Sequence, residues 1–102
     1  MDNQAAAEAN GNYVPIPCGD YEMLEIACMD GYEVEVHTDG RTIVGRADTL
    51  NVRADEEFFV VRLAGGSLDT TRVDRIRRLV VRTRPARFES HTFTRSGESP
   101  TH

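Results

Sequence analysis

Hydrophobic and polar positions repeat with two different periods along this chain, and the change falls at Gly31. Before it, apolar residues recur at helical spacing and form one face, made of Tyr21, Leu24, Ala27 and Cys28. Asp20 stands where a helix N-cap is expected, and Gly31 is suited to end the helix. The pattern therefore predicts one helix of about ten residues, which needs packing to persist in water.

After Gly31 the period becomes two, which is typical of half-buried strands. Tyr32, Val34 and Val36 point to one side of a strand over 32–38, and Glu33, Glu35 and His37 to the other. Asp39-Gly40 is a hairpin turn signal, and a second strand follows over 42–48. Gly45 within that strand indicates a bend or a close backbone approach.

Three further strands are predicted downstream of a polar loop at 49–56. The apolar run at 57–63 indicates a central strand covered on both faces, and the more polar run at 67–73 a strand near an edge. A short turn at 73–76 leads to a fifth strand over 77–83, which Pro85 ends. The predicted class is mainly β (α+β), with an N-terminal helix followed by five antiparallel strands in a small barrel.

The length of 102 residues supports one domain. Residues 1–12 and 85–102 have the composition of disordered segments, which leaves a domain over 13–84. Pro15 and Pro17 favour an extended arm ahead of the helix, with Tyr13 and Ile16 as the residues that pin it to the domain.

The net charge of −5 conceals an asymmetry along the chain. Residues 1–40 hold nine carboxylates and no Lys or Arg, whereas residues 41–102 hold eight carboxylates and twelve Arg. An acidic front half favours basic protein surfaces over nucleic acid as a partner.

The sequence offers little for catalysis, and we expect no enzyme, no cofactor and no metal site. Cys18, Cys28 and His37 are the only nucleophile and base candidates that stand out, and nothing in the spacing brings them together. The two cysteines are expected to be reduced and buried. No apolar run is long enough to span a bilayer and no signal peptide is visible, so a cytoplasmic protein is expected.

Two charged groups are candidate binding sites. The first is acidic and consists of Glu22 and Glu25 on one helix face with Asp20 and Asp30 at the helix ends. It is either a solvated helix face or a docking surface for a basic partner.

The second group is a run of seven arginines within residues 72–87, opposed only by Asp74. It is either an RNA-binding strip, with Arg77, Arg78 and Arg82 on the fifth strand, or a set of outward side chains that pair with the acidic front half.

The string Y-x-P-I-x-C-x-D-Y-E-x-L-E-x-A-C, from Tyr13 to Cys28, resembles the Rho-binding antiterminator (Rof) family. Shorter matches follow at Asp39-Gly40, Ala47-Asp48, E-F-F-V-V from 57 to 61 and R-V-D-R-I from 72 to 76. The resemblance implies a helix on a five-stranded Sm-like barrel. It also implies binding to the termination factor Rho, a hexameric RNA-dependent ATPase, at the primary RNA-binding surface of its N-terminal domain.

The same resemblance implies that occupying this surface keeps RNA off Rho and suppresses Rho-dependent termination. Carried over by position, the docking residues are Cys18, Asp20, Tyr21, Glu22 and Glu25, and we add Asp30 as an extension. Acidic side chains on one exposed face are able to compete with phosphates for Arg and Lys. The alternative is an Sm-like RNA-binding module that uses the basic strip.

Overall fold

The computed structural model describes residues 13–93, so the predicted disordered segment 1–12 and residues 94–102 lie outside the described part. Within residues 13–93, one helix, α1, precedes six strands, and a 3-10 turn at Val73–Arg75 joins the fourth and fifth. In chain order the elements are α1 (Cys18–Asp30), β1 (Glu33–Thr38), β2 (Thr42–Arg53), β3 (Glu56–Arg62), β4 (Leu68–Arg72), β5 (Ile76–Val81) and β6 (Ser90–Thr92). The class predicted from the sequence, mainly β with an N-terminal helix, is confirmed.

Helix α1 begins earlier than predicted, and Asp20 is not its N-cap. Pro17 occupies the N-cap position with extended backbone angles (φ −57°, ψ 149°), and its carbonyl accepts the amide N–H groups of Asp20 and Tyr21 at 3.0 and 3.1 Å. Asp20 instead lies within the first turn, where a carboxylate interacts favourably with the helix dipole. Gly31 ends the helix in the left-handed conformation (φ 63°), as predicted.

The strands form one antiparallel sheet in the order β4-β3-β2-β1-β5-β6. Strand β2 is the longest, because its first half pairs with β1 and its second half with β3. The predicted polar loop at 49–56 is therefore wrong: residues up to Arg53 continue the strand, and the chain turns only at Ala54 and Asp55, which both have positive φ.

Gly45 marks the place where β2 changes partner. A Cβ atom built there would lie 2.4 Å from the carbonyl oxygen of Arg62 and 2.7 Å from a methyl carbon of Val61. A register shift between Ala47 and Thr49 follows two residues later. The absence of a side chain lets β2 approach β3 closely as it bends, which confirms the close backbone approach predicted at this glycine.

The core lies between α1 and the concave side of the bent sheet. Leu24 and Ala27 contribute the buried face of α1, and Val34 and Val36 the inward face of β1. Across the sheet, Phe59 is fully buried at the centre of β3. The inward positions predicted for the first strand are thus confirmed, and so are Leu24, Ala27 and Cys28 on the helix, whereas Tyr21, predicted on the same face, is half-buried and does not join the core.

The prediction of five strands is wrong by one, because β6 lies within the segment assigned to a disordered tail. This three-residue strand pairs with β5, with Ser90 opposite Val80, His91 opposite Leu79 and Thr92 opposite Arg78. Phe93 follows it and is only 5% exposed, so it belongs to the core. The ordered domain extends beyond the predicted boundary at residue 84.

Candidate functional site

Four of the six residues predicted to bind a partner lie around one groove of about 430 Å³ beside α1. They are Cys18, Tyr21, Glu22 and Glu25, which the helical spacing of three and four residues brings to a common side. Glu22 and Glu25 are exposed, whereas Leu24 faces the core. The helix therefore packs with one face and presents another, as predicted, except that Tyr21, predicted on the packing face, lines the groove.

Two further residues line this groove that the sequence analysis did not assign to it. Ile16 comes from the extended arm, and Glu57 comes from β3, which is more than thirty positions away in sequence. The predicted role of the arm residues in pinning the arm was a partial signal for Ile16. The position of Glu57 depends on how β3 packs under the arm and α1, and no local pattern encodes that.

Tyr13 connects the arm to Glu57. Its hydroxyl donates a hydrogen bond to Oε1 of Glu57 at 2.8 Å, and the guanidinium carbon of Arg72 lies 5.7 Å from the centre of its ring. Burial and the neighbouring Glu57 carboxylate raise the pKa of Tyr13 to about 12, so the phenol remains a donor at neutral pH. The amide of Val14 donates to Asp74 at 3.0 Å and adds a second anchor for the arm.

The aromatic wall of the groove also stays neutral. Burial raises the pKa of Tyr21, and the carboxylates of Glu57 and Glu25 raise it further because they disfavour a phenolate. Tyr21 therefore presents a half-buried ring and a protonated hydroxyl next to two anionic side chains. This combination suits a cation that carries an apolar stem.

The carboxylates of the groove differ from most others in the described part of the chain. Eight carboxylates there lie within 4.0 Å of an Arg or His nitrogen, namely Asp20, Asp30, Glu35, Asp39, Asp48, Glu56, Asp69 and Asp74. Within residues 13–93, Glu22, Glu25 and Glu57 make no such ion pair. The groove thus concentrates negative charge that no described arginine or histidine neutralises.

Asp20 and Asp30, the other two predicted docking residues, lie away from this groove. Asp20 is 6% exposed, and its Oδ1 accepts a hydrogen bond from Nε2 of His91 at 2.7 Å. Asp30 pairs with Arg87 at 3.1 Å at the other end of α1. Both carboxylates contact the segment after β5, which the composition of residues 85–102 predicts to be a disordered tail.

The two cysteines are free, and they differ in environment. Cys18 is exposed at the rim of the groove, so the expectation that both cysteines are buried is wrong for this residue. Cys28 is partly buried against the core, and burial raises the pKa of its thiol to about 12. Cys28 therefore has the character of a packing residue rather than of a nucleophile.

The basic strip is neutralised in part by the front half of the chain, to which Arg77, Arg82 and Arg87 are joined by ion pairs. Arg77 makes two hydrogen bonds of 3.2 Å to the carboxylate of Asp39, and Arg82 lies 3.6 Å from Glu35. Arg78 contacts the hydroxyl of Ser90 at 3.4 Å. Outward arginines that pair with acidic residues of the first forty positions are the second of the two interpretations left open by the sequence.

A larger groove of about 850 Å³ lies on the other side of the arm, beside Val14 and Phe58. Its walls carry both signs of charge, and three of its arginines are held in ion pairs: Arg41 with Asp69, Arg72 with Asp74 and Arg77 with Asp39. The Arg72–Asp74 pair is short (2.7 Å) and almost buried. Four arginines and three carboxylates line this groove, so its net charge is close to zero.

Across residues 13–93, no group of three or more His, Cys, Asp or Glu side chains is placed to hold a metal ion. In the same part of the chain, no helix is long and apolar enough to cross a membrane.

Comparison with known proteins assigns this chain to a family of transcription-termination modulators. The model of the family described as modulator of Rho-dependent transcription termination (ROF) matches residues 15–93. This range includes the arm residue Ile16, α1, all six strands and the buried Phe93.

Protein rof of Escherichia coli (strain K12) is 35% identical over 68 residues, which cover 66% of this chain and 80% of that protein. Protein rof of Shigella flexneri matches to the same extent. Among solved structures, YaeO of Vibrio cholerae O395, determined with bound magnesium, superposes with a TM-score of 0.65. It is 16% identical, and the match covers 71% of this chain and 95% of that one, so it shows a shared fold.

Proposed function

Because this chain belongs to the family of modulators of Rho-dependent transcription termination, we propose that it binds Rho through the acidic groove beside α1 and inhibits termination. The surface of Rho that it occupies in this proposal is the primary RNA-binding surface of the N-terminal domain. Binding there keeps nascent RNA from loading onto the hexamer. The protein acts by occupancy and needs no catalytic step.

The observation that carries this proposal is the unpaired charge of Glu22 and Glu25. Both side chains are exposed on α1, and neither has an ion-pair partner within residues 13–93, although arginines neutralise most neighbouring carboxylates. A surface that binds RNA phosphates must present Arg and Lys. Exposed carboxylates on a rigid helix are able to take the place of phosphates on such a surface and to form charge-assisted hydrogen bonds with it.

The helix backbone that carries these side chains is held firmly. Leu24 and Ala27 are fully buried against the sheet, and Gly31 ends the helix with a capped turn. A rigid backbone loses little conformational entropy on binding, and electrostatic attraction to a basic surface accelerates the encounter.

Two parallel titrations test the proposal. The full-length chain is titrated into Rho and, separately, into single-stranded RNA, and both heats are measured by calorimetry. A third sample contains Rho with a fluorescently labelled RNA, and displacement of the RNA is followed by anisotropy.

We expect binding to Rho, loss of the labelled RNA from Rho, and no binding to RNA alone. Binding to RNA without binding to Rho would contradict the proposal and favour the basic strip of Arg77, Arg78 and Arg82. Binding to Rho that leaves the labelled RNA in place would contradict the proposed site on Rho.

A further inference from the structure

We propose that Glu57 and the arm residue Tyr13 complete the groove beside α1 as a socket for one basic side chain of the partner, an arginine or a lysine. This inference rests on the proposed function, since it concerns how the same groove recognises Rho. It gives a binding role to a residue of the sheet, and a positioning role to a residue of the arm, in a groove whose proposed binding residues all lie on the helix so far.

The first observation is that the groove is lined by both carboxylate and apolar side chains. Carboxylates stand on two different elements, with Glu22 and Glu25 on α1 and Glu57 on β3. Ile16 supplies an aliphatic wall and Tyr21 an aromatic one. A volume of about 430 Å³ is large enough for one long side chain. Arginine and lysine both have an apolar stem and a cationic end, which match the two kinds of wall.

The second observation is that a hydrogen bond holds the Glu57 side chain in one position. The hydroxyl of Tyr13 donates to Oε1 at 2.8 Å, and the Tyr13 ring lies next to the guanidinium of Arg72, itself bound to the nearly buried Asp74. One carboxylate oxygen of Glu57 is thus occupied, and the carboxylate has further acceptor capacity for a ligand in the groove. A fixed carboxylate binds a cation at a lower entropic cost than a mobile one.

The third observation concerns charge. Three carboxylates meet in one small groove, and no arginine or histidine of residues 13–93 pairs with any of them. A cation that enters is attracted by all three carboxylates, so the groove is complementary to a basic side chain and disfavours an acidic one. Neutral Tyr21 adds an aromatic wall that favours a cation over an uncharged side chain of the same length.

The test uses full-length variants and calorimetric affinity for Rho. Glu57→Gln removes the charge but keeps an acceptor for Tyr13. Glu89→Gln is the control, because Glu89 likewise has no ion pair within the described residues and lies outside the groove, although it is exposed and Glu57 is half-buried. Glu22→Lys/Glu25→Lys reports on the proposed function itself. Tyr13→Phe is measured alone and together with Glu57→Gln.

The socket predicts that Glu57→Gln weakens binding roughly tenfold, as expected for the loss of one charge-assisted hydrogen bond, while Glu89→Gln changes nothing. As a positioning residue, Tyr13 acts only through Glu57: Tyr13→Phe weakens binding by itself and adds no further loss to Glu57→Gln. A change in thermal stability alone would not produce this non-additive pattern.

If the charge reversal Glu22→Lys/Glu25→Lys abolishes binding but Glu57→Gln behaves like Glu89→Gln, the proposed function stands and the proposed socket is wrong. If the charge reversal Glu22→Lys/Glu25→Lys leaves binding to Rho intact, both the proposed function and the proposed socket are wrong. Equal losses from Tyr13→Phe in the presence and absence of the Glu57 carboxylate would overturn the positioning role of Tyr13.

Discussion

Oδ1 of Asp20 and Nε2 of His91 lie 2.7 Å apart, although 71 positions separate the two residues in sequence. The contact joins the first turn of α1 to β6, the shortest strand of the sheet. The imidazole also packs edge-to-face on Phe93, with ring centres 5.0 Å apart. The helix that carries the acidic groove is therefore tied to the C-terminal edge of the domain.

Replacing His91 by alanine is expected to destabilise the fold. The variant loses a hydrogen bond to a buried carboxylate, which contributes about 1.5–3 kcal/mol when one partner is charged. Urea unfolding followed by circular dichroism measures the free energy of unfolding. The matched control is His37→Ala, because His37 pairs with Glu35 on the outer face of the sheet, where the expected loss is about 0.5 kcal/mol. An equal decrease in the free energy of unfolding of the two variants would show that the Asp20–His91 contact stabilises the fold no more than a surface ion pair does.

Gly45→Ala is expected to cost more than an ordinary strand substitution. Its Cβ atom would meet the backbone oxygen of Arg62 at 2.4 Å, and a backbone atom within the β2–β3 ladder is not free to move aside. Overpacking of this kind costs about 1–3 kcal/mol. Gly65→Ala is the control, because no atom lies within 4 Å of the Cβ position there. A Gly45 variant as stable as the Gly65 variant would contradict the close approach of β2 and β3.

The hydrogen bond between Tyr13 and Glu57 predicts a specific response to alkaline pH. The folded protein keeps the Tyr13 proton up to a pKa of about 12, whereas the unfolded chain loses it near the ordinary value of 10.0. The unfolded state therefore binds fewer protons between these values, and stability falls as the pH rises through them. The contribution of Tyr13 is fully present below pH 10.

The measurement is the free energy of unfolding of the wild type and of Tyr13→Phe across this range. We expect the difference between the two proteins to shrink as the pH increases from about 10 to about 12, since only the wild type has the phenol to lose. Tyr21 and Cys28 also have raised pKa values, but they are present in both proteins and cancel in the difference. A difference that stays constant over this range would contradict the protected phenol.

Local patterns predicted much of the fold because the features concerned depend on neighbours in sequence. The alternation in β1, the turn at Asp39-Gly40 and the helix end at Gly31 each follow from the properties of a few adjacent residues. The outward direction of Arg78, with Leu79 and Val81 inward, follows from the same period of two. These elements form where local preference and tertiary packing agree.

The errors fall where a distant partner decides the structure. Ser90–Thr92 is short and polar, and it forms a strand because β5 offers an edge and Phe93 enters the core. The end of β2 is equally polar and is extended because β3 pairs with it up to Arg53. Asp20 has the residue type of an N-cap, but Pro17 starts the helix earlier and leaves the carboxylate facing His91.

The candidate site likewise has residues that local sequence predicts and residues that only long-range packing places. Helical spacing was enough to bring Cys18, Tyr21, Glu22 and Glu25 to one side of α1. Glu57 lies in the same groove only because β3 packs beneath the arm. Asp20 and Asp30 lie outside the groove, where they contact His91 and Arg87 of the segment after β5. Long-range packing therefore decides which carboxylates are exposed, and the sequence decides only which are on the helix.

The most direct test of the account is the affinity of the double charge reversal Glu22→Lys/Glu25→Lys for Rho. The control is Glu33→Lys/Glu89→Lys, which changes the net charge equally at two exposed carboxylates outside the groove that have no ion pair within residues 13–93. We expect the groove reversal to abolish calorimetric binding while its thermal midpoint stays close to that of the wild type, because exposed charges contribute little to stability. The control is expected to keep most of the affinity. A groove reversal that binds Rho as tightly as the wild type would contradict the central claim.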